Sequence, residues 1–380
     1  MAVIAHLPPA KYIDSDEALL ELVTHLEGEK LLAIDTESNN MYAYQGRICL
    51  IQLSTEHEDY IIDPLTIKDM RPFGNLLADK RIEKIFHAAE YDLVCFRRDF
   101  GFEVQNIFDT MYAARFCKAK QFGLADLLWE YFEVEVDKSH QRDDWGQRPL
   151  PKDSLKYAQM DTHYLHQLRD VLREKLIKLG HLEEAYEAFD DALYIEAKEQ
   201  VFDPDGYWKL GRPRSLTRRQ MAILRELYIL RDEIAREQDR PHFKTITNQT
   251  LIMLARRQPR SFKRLYEMKG LNDHIVQYYG QDIIGAIKRG RENEIPAPPP
   301  NHSPSAELAE RYTVLHAWRR DRAEERDLDS SLILSKHTLW ELARTMPQTM
   351  DELKAIDGMR EWRLNAYGEE ILKLIKHMKV

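Results

Sequence analysis

The sequence predicts an α/β domain over residues 1–204, followed by two small all-α helical bundles. In the first half, short apolar runs alternate with segments of helical periodicity, which is typical of strands and helices that share one core. Residues 213–290 and 305–380 repeat each other at a constant offset of 88 positions, which predicts one helical module present twice. A proline-rich segment, Ile295–Pro304, separates the two copies as a semi-rigid linker.

The first three strands are expected to form an antiparallel meander. Leu31–Ile34 is a short apolar run of the kind found in buried strands. Ile48–Leu53 and Asp59–Pro64 are two further runs of this kind, and a proline closes the last one. The short spacing between the runs favours strands that pair in sequence order.

Two carboxylates follow the first strand directly, at Asp35 and Glu37. Side chains at i and i+2 of an extended strand lie on the same face. Two acids beside an apolar core are unfavourable unless a cation lies between them, and Mg²⁺ and Mn²⁺ prefer carboxylate oxygens. The alternative is a strand whose polar end runs into solvent. The choice depends on whether the chain supplies matching acids.

The third acid, Asp92, lies in the helix that follows the next predicted strand, Lys84–His87. It is about a turn and a half beyond the end of that strand, and this position directs its side chain back toward the edge of the sheet. The alternative is a first-turn acid that complements the helix dipole. A further strand is predicted at Asn106–Thr110, with Asp109 as the cap of a helix over Met111–Phe116.

A fourth acid lies in a long helix predicted over Lys152–Leu179, which ends at Gly180. Tyr157 and Asp161 are at i and i+4 and therefore lie one above the other on one helical face. A core tyrosine beside a surface aspartate is the alternative. Another helix is predicted over Glu183–Gln200, and it ends the first domain.

The repeated region carries the basic residues of an otherwise acidic chain. The net charge is -9, yet residues 205–291 contain 19 basic and nine acidic residues. Such a basic region is a plausible footprint for phosphate backbones, and an ordinary arginine-rich helical surface is the alternative. We place the first bundle at 205–292, the linker at 293–304 and the second bundle at 305–380. The five cations we call the basic cluster are Arg256, Arg257, Arg260, Lys263 and Arg264.

Composition excludes several classes of protein. No apolar run approaches the roughly 18 residues that a membrane span needs. The first 12 residues lack a basic segment followed by a long apolar one, so we expect no secretory signal. Cys49, Cys95 and Cys117 have no pairing pattern and lie in apolar surroundings, which indicates buried thiols in a reducing compartment. These features predict a cytoplasmic location without membrane contact.

The order and spacing of these residues resemble a known superfamily. Asp35-Thr-Glu37, His87-x-x-x-Tyr-Asp92 and Tyr157-x-x-x-Asp161 resemble the three motifs of the DEDDy 3′–5′ exonucleases. The approach to the third motif, Lys138-Ser, Asp144-Trp145 and Arg148-Pro-Leu150, also matches. The repeated bundles resemble HRDC domains. One exonuclease domain with two HRDC copies resembles the ribonuclease D family over nearly the full chain.

The resemblance implies an RNase H-like domain, a mixed sheet flanked by helices, before the two HRDC bundles. Four converging carboxylates could hold two divalent ions about 3.5–4 Å apart for in-line displacement at phosphorus. The resemblance implies that two Mg²⁺ or Mn²⁺ ions bind at such a site, with Tyr157 orienting the attacking water. The four implied metal ligands are Asp35, Glu37, Asp92 and Asp161.

Other residues near these motifs allow more than one role. Lys138 is expected to meet a substrate phosphate, with pairing to an acid of the site as the alternative. His87 is a candidate substrate contact, and a structural hydrogen-bonding role is favoured over that of a catalytic base. Trp145 is expected to pack within the protein rather than to stack on a base. Ser38 follows Glu37 where relatives commonly carry an aromatic residue, so no ring for the terminal base is supplied there.

Three functions follow as hypotheses. The first is a metal-dependent 3′–5′ exoribonuclease that releases 5′ nucleoside monophosphates from RNA with a free 3′ end, such as tRNA precursors. The second is the same chemistry on DNA, because contacts to the 2′-OH decide the sugar and no residue here reveals them. The third is a non-catalytic nucleic-acid-binding protein that acts through its HRDC repeats. The second repeat lacks the excess of basic over acidic residues that the first repeat has, so packing or protein binding is its expected role.

Overall fold

The computed structural model describes residues 7–194, 201–210, 216–294, 297 and 304–378. Two compact units account for these residues. Residues 7–38, 48–194 and 304–378 form the first unit, and residues 39–47, 201–210, 216–294 and 297 belong to the second. The end of the predicted helix Glu183–Gln200 and most of the predicted linker lie outside the described residues.

A six-stranded mixed sheet forms the centre of the first unit, in the order β1-β4-β3-β2-β5-β6. The central three strands are the predicted antiparallel meander, while β5 and β6 extend the sheet in parallel beyond β2. Strand β1 pairs in parallel with β4 and was not predicted from the sequence. The strands are β1 (Lys11–Ile13), β2 (Leu31–Ser38), β3 (Ile48–Ser54), β4 (Asp59–Ile62), β5 (Glu83–Phe86) and β6 (Ile107–Asp109).

Eight helices of the same unit flank this sheet and bury a continuous apolar core with it. Fully buried leucines and phenylalanines from both layers fill that core. The predicted fold class, a mixed sheet flanked by helices, is thereby confirmed. The helices are α1 (Asp16–Leu26), α2 (Arg71–Ala78), α3 (Glu90–Phe100), α4 (Thr110–Phe116), α5 (Leu124–Phe132), α6 (Lys152–His163), α7 (Leu165–Leu179) and α8 (Leu182–Asp191).

The prediction of a single helix over Lys152–Leu179 is wrong, because the structure has two helices there, α6 and α7. The break falls where two adjacent side chains are held by other elements. His163 Nδ1 lies 2.7 Å from Asp59 Oδ2, and the Tyr164 ring stacks on Phe132 with centroids 6.0 Å apart. Periodicity shows one continuous amphipathic pattern and cannot reveal such tertiary contacts.

The two C-terminal bundles have the same order of five helices. The first bundle contains α9 (Arg218–Glu237), α10 (His242–Thr245), α11 (Asn248–Arg257), α12 (Phe262–Tyr266) and α13 (Asp273–Glu292). The second bundle contains α14 (Ala306–Arg326), α15 (Ser330–Ile333), α16 (Lys336–Thr345), α17 (Met350–Lys354) and α18 (Glu361–His377).

Local geometry also repeats between the bundles at the predicted offset. Gly270 and Gly358 have φ values of +93° and +85°. A Cβ at either glycine would lie 2.3 or 2.2 Å from the hydroxyl oxygen of Thr250 or Thr338, respectively. The positive φ and the lack of room for a Cβ both require glycine at these two positions. The repeated turn therefore supports the duplication of one structural module.

The second bundle packs against α8 within the first unit. The Arg326 guanidinium contacts both carboxylate oxygens of Glu184 at 2.6 Å, and Glu184 is fully buried. Arg363, which is also buried, contacts Asp191 at 2.7 Å. The carboxylate of Glu187 accepts hydrogen bonds at the start of α18. The second repeat therefore packs against α8, which is one of the two roles expected for it, and protein binding stays a prediction.

Segment 39–47 follows strand β2 in sequence and packs within the second unit. The Tyr44 hydroxyl donates to Asp232 at 2.7 Å, and the Tyr44 amide donates to Asp239 at 3.1 Å. Lys244 Nζ lies 3.7 Å from the centre of the Tyr42 ring.

The structure gives the burial of the three cysteines. Cys49 and Cys95 are buried, Cys117 is partly buried, and the three form no disulfide with one another. Among the residues that the structure describes, no helix is both long and apolar enough to span a bilayer.

Candidate active site

Three of the four predicted acids meet at the end of strand β2. Asp35, Glu37 and Asp161 each offer a carboxylate oxygen, and these oxygens all lie within 4.8 Å of one another. The paired register of β2 and β3 shifts between Glu37 and Ser38, and such irregularities locally re-aim side chains. The acids line a pocket of about 470 Å³, and Asp92 lines the same pocket.

Asp92 is held beside this group by its own helix and by β2. It is buried in the first turn of α3, and one of its oxygens accepts a hydrogen bond from the Thr36 hydroxyl. The turn before α3 is fixed by the buried carboxylate of Asp109, which accepts from the amides of Ala88 at 3.2 Å and Ala89 at 2.8 Å. Asp109 also caps α4, as predicted.

The electrostatics of the pocket favour a cation. Burial and the charge of Asp161 raise the pKa of Asp35 well above its ordinary value. Burial and the neighbouring acids raise the pKa of Glu37 to about 10, and burial raises that of Asp161 to about 7. Burial and Asp35 raise the pKa of Asp92. A partly buried set of oxygen donors that repel one another fits a hard divalent metal.

Helix α6 places Tyr157 and Asp161 over the pocket. The Tyr157 hydroxyl hydrogen-bonds to the Asp161 carboxylate, and burial raises the pKa of this phenol. On the opposite face of the helix, Gln159 donates to Asp59 at 2.6 Å and His163 contacts the same carboxylate at 2.7 Å. Contacts outside the pocket thus hold the rotation of α6 about its axis.

His87 lines the pocket but is held by structural hydrogen bonds. Its Nδ1 lies 2.9 Å from the Thr110 hydroxyl, and the ring also bonds to the backbone of Phe122. Burial lowers the pKa of His87 to about 4, so the ring is neutral near pH 7. These observations favour the structural interpretation, and contact with substrate stays a prediction.

The loop before α6 brings Lys138 to the pocket. Lys138 is exposed there. The same loop is anchored by Arg148, whose guanidinium forms two hydrogen bonds to Asp63 at 2.6 and 2.7 Å and a third to the Trp145 carbonyl at 2.8 Å. Trp145 is 1% exposed within an apolar cluster, which confirms its predicted packing role.

The basic cluster lies in the second unit. Its five cations are all exposed, and they lie at the C-terminal end of α11 and in the α12 region after it. Arg264 forms an ion pair with Glu267 at 2.9 Å. Cations at the ends of helices also complement the helix dipole, so RNA binding by this cluster stays a prediction.

Several pocket residues were missed by sequence reasoning. Thr36 stands between two predicted ligands, and its position could have suggested a hydrogen bond to a third. Tyr91, which the second motif contains but for which no role was predicted, also lines the pocket. Leu124 and Val136 line it too, and their spacing carries no chemical signal. Arg148 was noticed only as part of a longer resemblance, and its bonds to Asp63 depend on the fold.

Comparison with known proteins identifies the domains. A family model described as 3′-5′ exonuclease matches residues 10–177, and the HRDC domain model matches residues 220–287 and 309–375. Residues 10–177 therefore form a 3′–5′ exonuclease domain, and two HRDC domains follow it. Both parts of the prediction are confirmed.

Similarity to ribonuclease D extends over nearly the whole chain. Ribonuclease D of Granulibacter bethesdensis is 28% identical over 380 residues, which cover 97% of this chain and 93% of that protein. The crystal structure of Escherichia coli RNase D, described as an exoribonuclease involved in structured RNA processing, is 26% identical with a TM-score of 0.68. That match covers 97% of this chain and 99% of the other. The predicted resemblance to the ribonuclease D family is therefore confirmed.

Longer eukaryotic proteins are also similar. The exosome complex component 10 homolog of Caenorhabditis elegans is 36% identical over 289 residues, which cover 75% of this chain and 33% of that protein. The chain thus spans about a third of the length of these curated relatives. The catalytic core of RRP6 from Trypanosoma brucei matches with a TM-score of 0.69 at 28% identity, covering 76% of this chain and 81% of that one.

Proposed function

We propose that this protein is a metal-dependent 3′–5′ exoribonuclease of the ribonuclease D type. The observation that carries the proposal is the gathering of carboxylate oxygens from Asp35, Glu37 and Asp161 within 4.8 Å, with Asp92 in the same pocket. The similarity to ribonuclease D and to exosome exonuclease components supports RNA as the substrate. The product would be a 5′ nucleoside monophosphate.

The four acids would hold two divalent cations, Mg²⁺ or Mn²⁺. Such a pair supplies an activated water and stabilises charge on the leaving oxygen. Tyr157, whose raised pKa keeps it protonated, would orient the water through its hydroxyl. Once Asp161 binds metal, the hydroxyl that donates to Asp161 would donate to the water instead. Lys138 is exposed at the pocket and would contact a phosphate of the RNA.

The first HRDC domain would bind RNA through the basic cluster, whose cations are exposed. Structured RNA such as tRNA precursors is the proposed substrate, because the similar E. coli enzyme is described as processing structured RNA. A cytoplasmic location belongs to this proposal, and cell fractionation would test it.

Release of mononucleotides from a 3′-labelled RNA tests the proposal. Chelator-treated protein should be inactive, and Mg²⁺ or Mn²⁺ should restore activity. Asp35→Ala and Asp161→Asn should abolish the activity, whereas Asp153→Asn should retain it, because Asp153 is an exposed acid in the first turn of α6. Turnover that survives in the first two variants would contradict the assigned site.

A DNA strand of the same sequence serves as the second substrate. Preference for RNA supports an exoribonuclease, while equal or faster DNA turnover would assign the same site to DNA 3′ ends. RNA binding without any turnover in Mn²⁺ would instead support a binding protein.

A further inference from the structure

A buried carboxylate connects one face of α6 to the sheet. Asp59 lies at the start of β4 and is 4% exposed. One of its oxygens accepts a hydrogen bond from the Ser54 hydroxyl of β3 at 2.6 Å. The other accepts from Nε2 of Gln159 at 2.6 Å and lies 2.7 Å from Nδ1 of His163. One side chain thus joins two strands to two positions of the helix.

These two positions alternate along α6 with the residues of the acid pocket. Of the four side chains, Tyr157 and Asp161 line the pocket. Gln159 and His163 each follow one of them by two residues, and two residues of an α-helix correspond to a rotation of about 200°. The contacts with Asp59 and the pocket residues therefore lie on opposite faces of one helix. A rotation of α6 about its axis would displace both sets together.

The partners of Asp59 connect it to the chemistry of the pocket. Any buried carboxylate needs hydrogen bonds, so their presence alone indicates no function. Two of the three partners of Asp59, however, lie on the one helix that supplies a proposed metal ligand, Asp161. The proposed ligands Asp35 and Glu37 lie on β2, so the geometry of the site depends on how α6 is held against the sheet.

We propose that Asp59 is a positioning residue for the metal site. Its hydrogen bonds hold the rotation of α6 and thereby keep the Asp161 carboxylate at the distance from Asp35 and Glu37 that a divalent cation requires. This inference rests on the proposed metal-dependent function and adds to it a residue that touches neither metal nor RNA. A displacement of about 1 Å in a site can cost about 10²-fold in rate, so a small rotation of α6 is sufficient.

Calorimetric titration of Mn²⁺ into the chelator-treated full chain measures the effect without turnover. Asp59→Ala should weaken Mn²⁺ binding by about 10-fold to about 100-fold, the range found when groups that orient metal ligands are removed. On a 3′-labelled RNA, kcat should fall as well. KM for the RNA should change little, because Asp59 does not contact the substrate.

Two further variants separate hydrogen bonding from charge and from folding. Asp59→Asn can still accept from Gln159 and His163, while its NH₂ group donates to the Ser54 hydroxyl, which lies 2.7 Å from that of Thr162. This variant should keep most of the wild-type affinity for Mn²⁺. Gln159→Ala leaves Asp59 bonded to Ser54 and His163, so it tests the proposal even where Asp59→Ala does not fold. It should weaken Mn²⁺ binding by a smaller factor.

Arg169→Ala is the matched control for the loss of a partly buried polar contact. Arg169 lies on α7, and its Nε donates to Glu83 of β5 at 2.8 Å. No residue of α7, all of which the structure describes, lines the acid pocket. This variant should therefore lower the unfolding temperature and leave Mn²⁺ binding unchanged.

The titrations have four decisive outcomes. Weaker Mn²⁺ binding in Asp59→Ala, or in Gln159→Ala where the former does not fold, supports the proposal if Arg169→Ala binds as wild type. Wild-type affinity in these variants, or an equal loss in Arg169→Ala, overturns it and leaves the exonuclease function intact. A wild-type protein that binds Mn²⁺ but releases no nucleotide overturns the exonuclease function alone, because the titrations still test Asp59. A wild-type protein that binds no Mn²⁺ overturns both.

Discussion

Replacing Asp161 by asparagine should make the cation-free protein more stable while it abolishes activity. Burial raises the pKa of Asp161 from 3.8 to about 7. At roughly 1.36 kcal/mol per pKa unit, keeping this group ionised in the fold costs at most about 4 kcal/mol near neutral pH. Asparagine has nearly the same shape and carries no charge, so it removes this cost. It also removes a ligand, so turnover is lost.

The sign of the pH dependence follows from the raised pKa. Well below pH 3.8 the carboxyl is protonated in both the folded and the unfolded protein, and the substitution changes little. As pH rises toward 7, the unfolded chain ionises first, so the stability of the cation-free wild-type protein falls relative to Asp161→Asn. The stabilisation by the variant should therefore grow from pH 4 to pH 7.

Thermal unfolding in chelator and in Mn²⁺ measures both effects. In chelator at pH 7, Asp161→Asn should unfold a few to about ten degrees above the wild-type protein, given about 2–4 °C per kcal/mol. Mn²⁺ should raise the unfolding temperature of the wild-type protein and have much less effect on the variant. Asp153→Asn should behave as wild type in both conditions. A variant less stable than wild type in chelator would refute the reasoning.

Three further predictions concern separate parts of the molecule. Tyr157→Phe should lower kcat by about 10²-fold, which is the low end of the contribution of a positioned proton-bearing group. The variant should keep the Mn²⁺-induced rise in unfolding temperature, because the Tyr157 hydroxyl is not a proposed metal ligand. Arg326→Ala should lower the free energy of unfolding by about 3–5 kcal/mol in calorimetry, because it removes both short hydrogen bonds to the buried Glu184 carboxylate and leaves it beside His181 at 3.4 Å. Lys178→Ala, which breaks an exposed ion pair with Glu174, should lower it by less than about 1 kcal/mol. Replacing the basic cluster with glutamine should flatten the salt dependence of RNA binding by about 0.7 in log–log slope per lost phosphate contact, and an unchanged slope would mean that the cluster does not bind RNA.

The sequence was sufficient to predict the elements that carry the site. The apolar run before Asp35 predicted a buried strand, and the i, i+4 spacing of Tyr157 and Asp161 predicted one helical face. Both are local patterns, and periodicity reports local patterns well. The duplication was visible because the same glycine turn, at Gly270 and Gly358, is required twice.

Contacts between distant segments could not be predicted in this way. The division of the long helix depends on Asp59, which lies about 100 residues away in sequence from its partners Gln159 and His163. The docking of the second bundle depends on acids of α8 that look like an ordinary solvated face until Arg326 and Arg363 are seen against them. No local period encodes either arrangement.

Anomalous diffraction from crystals soaked in Mn²⁺ tests the central claim most directly. The account predicts two peaks about 3.5–4 Å apart among the oxygens of Asp35, Glu37, Asp92 and Asp161, and loss of at least one peak in Asp161→Asn crystals. Wild-type crystals with no peak in this pocket, or with manganese only elsewhere, would contradict it.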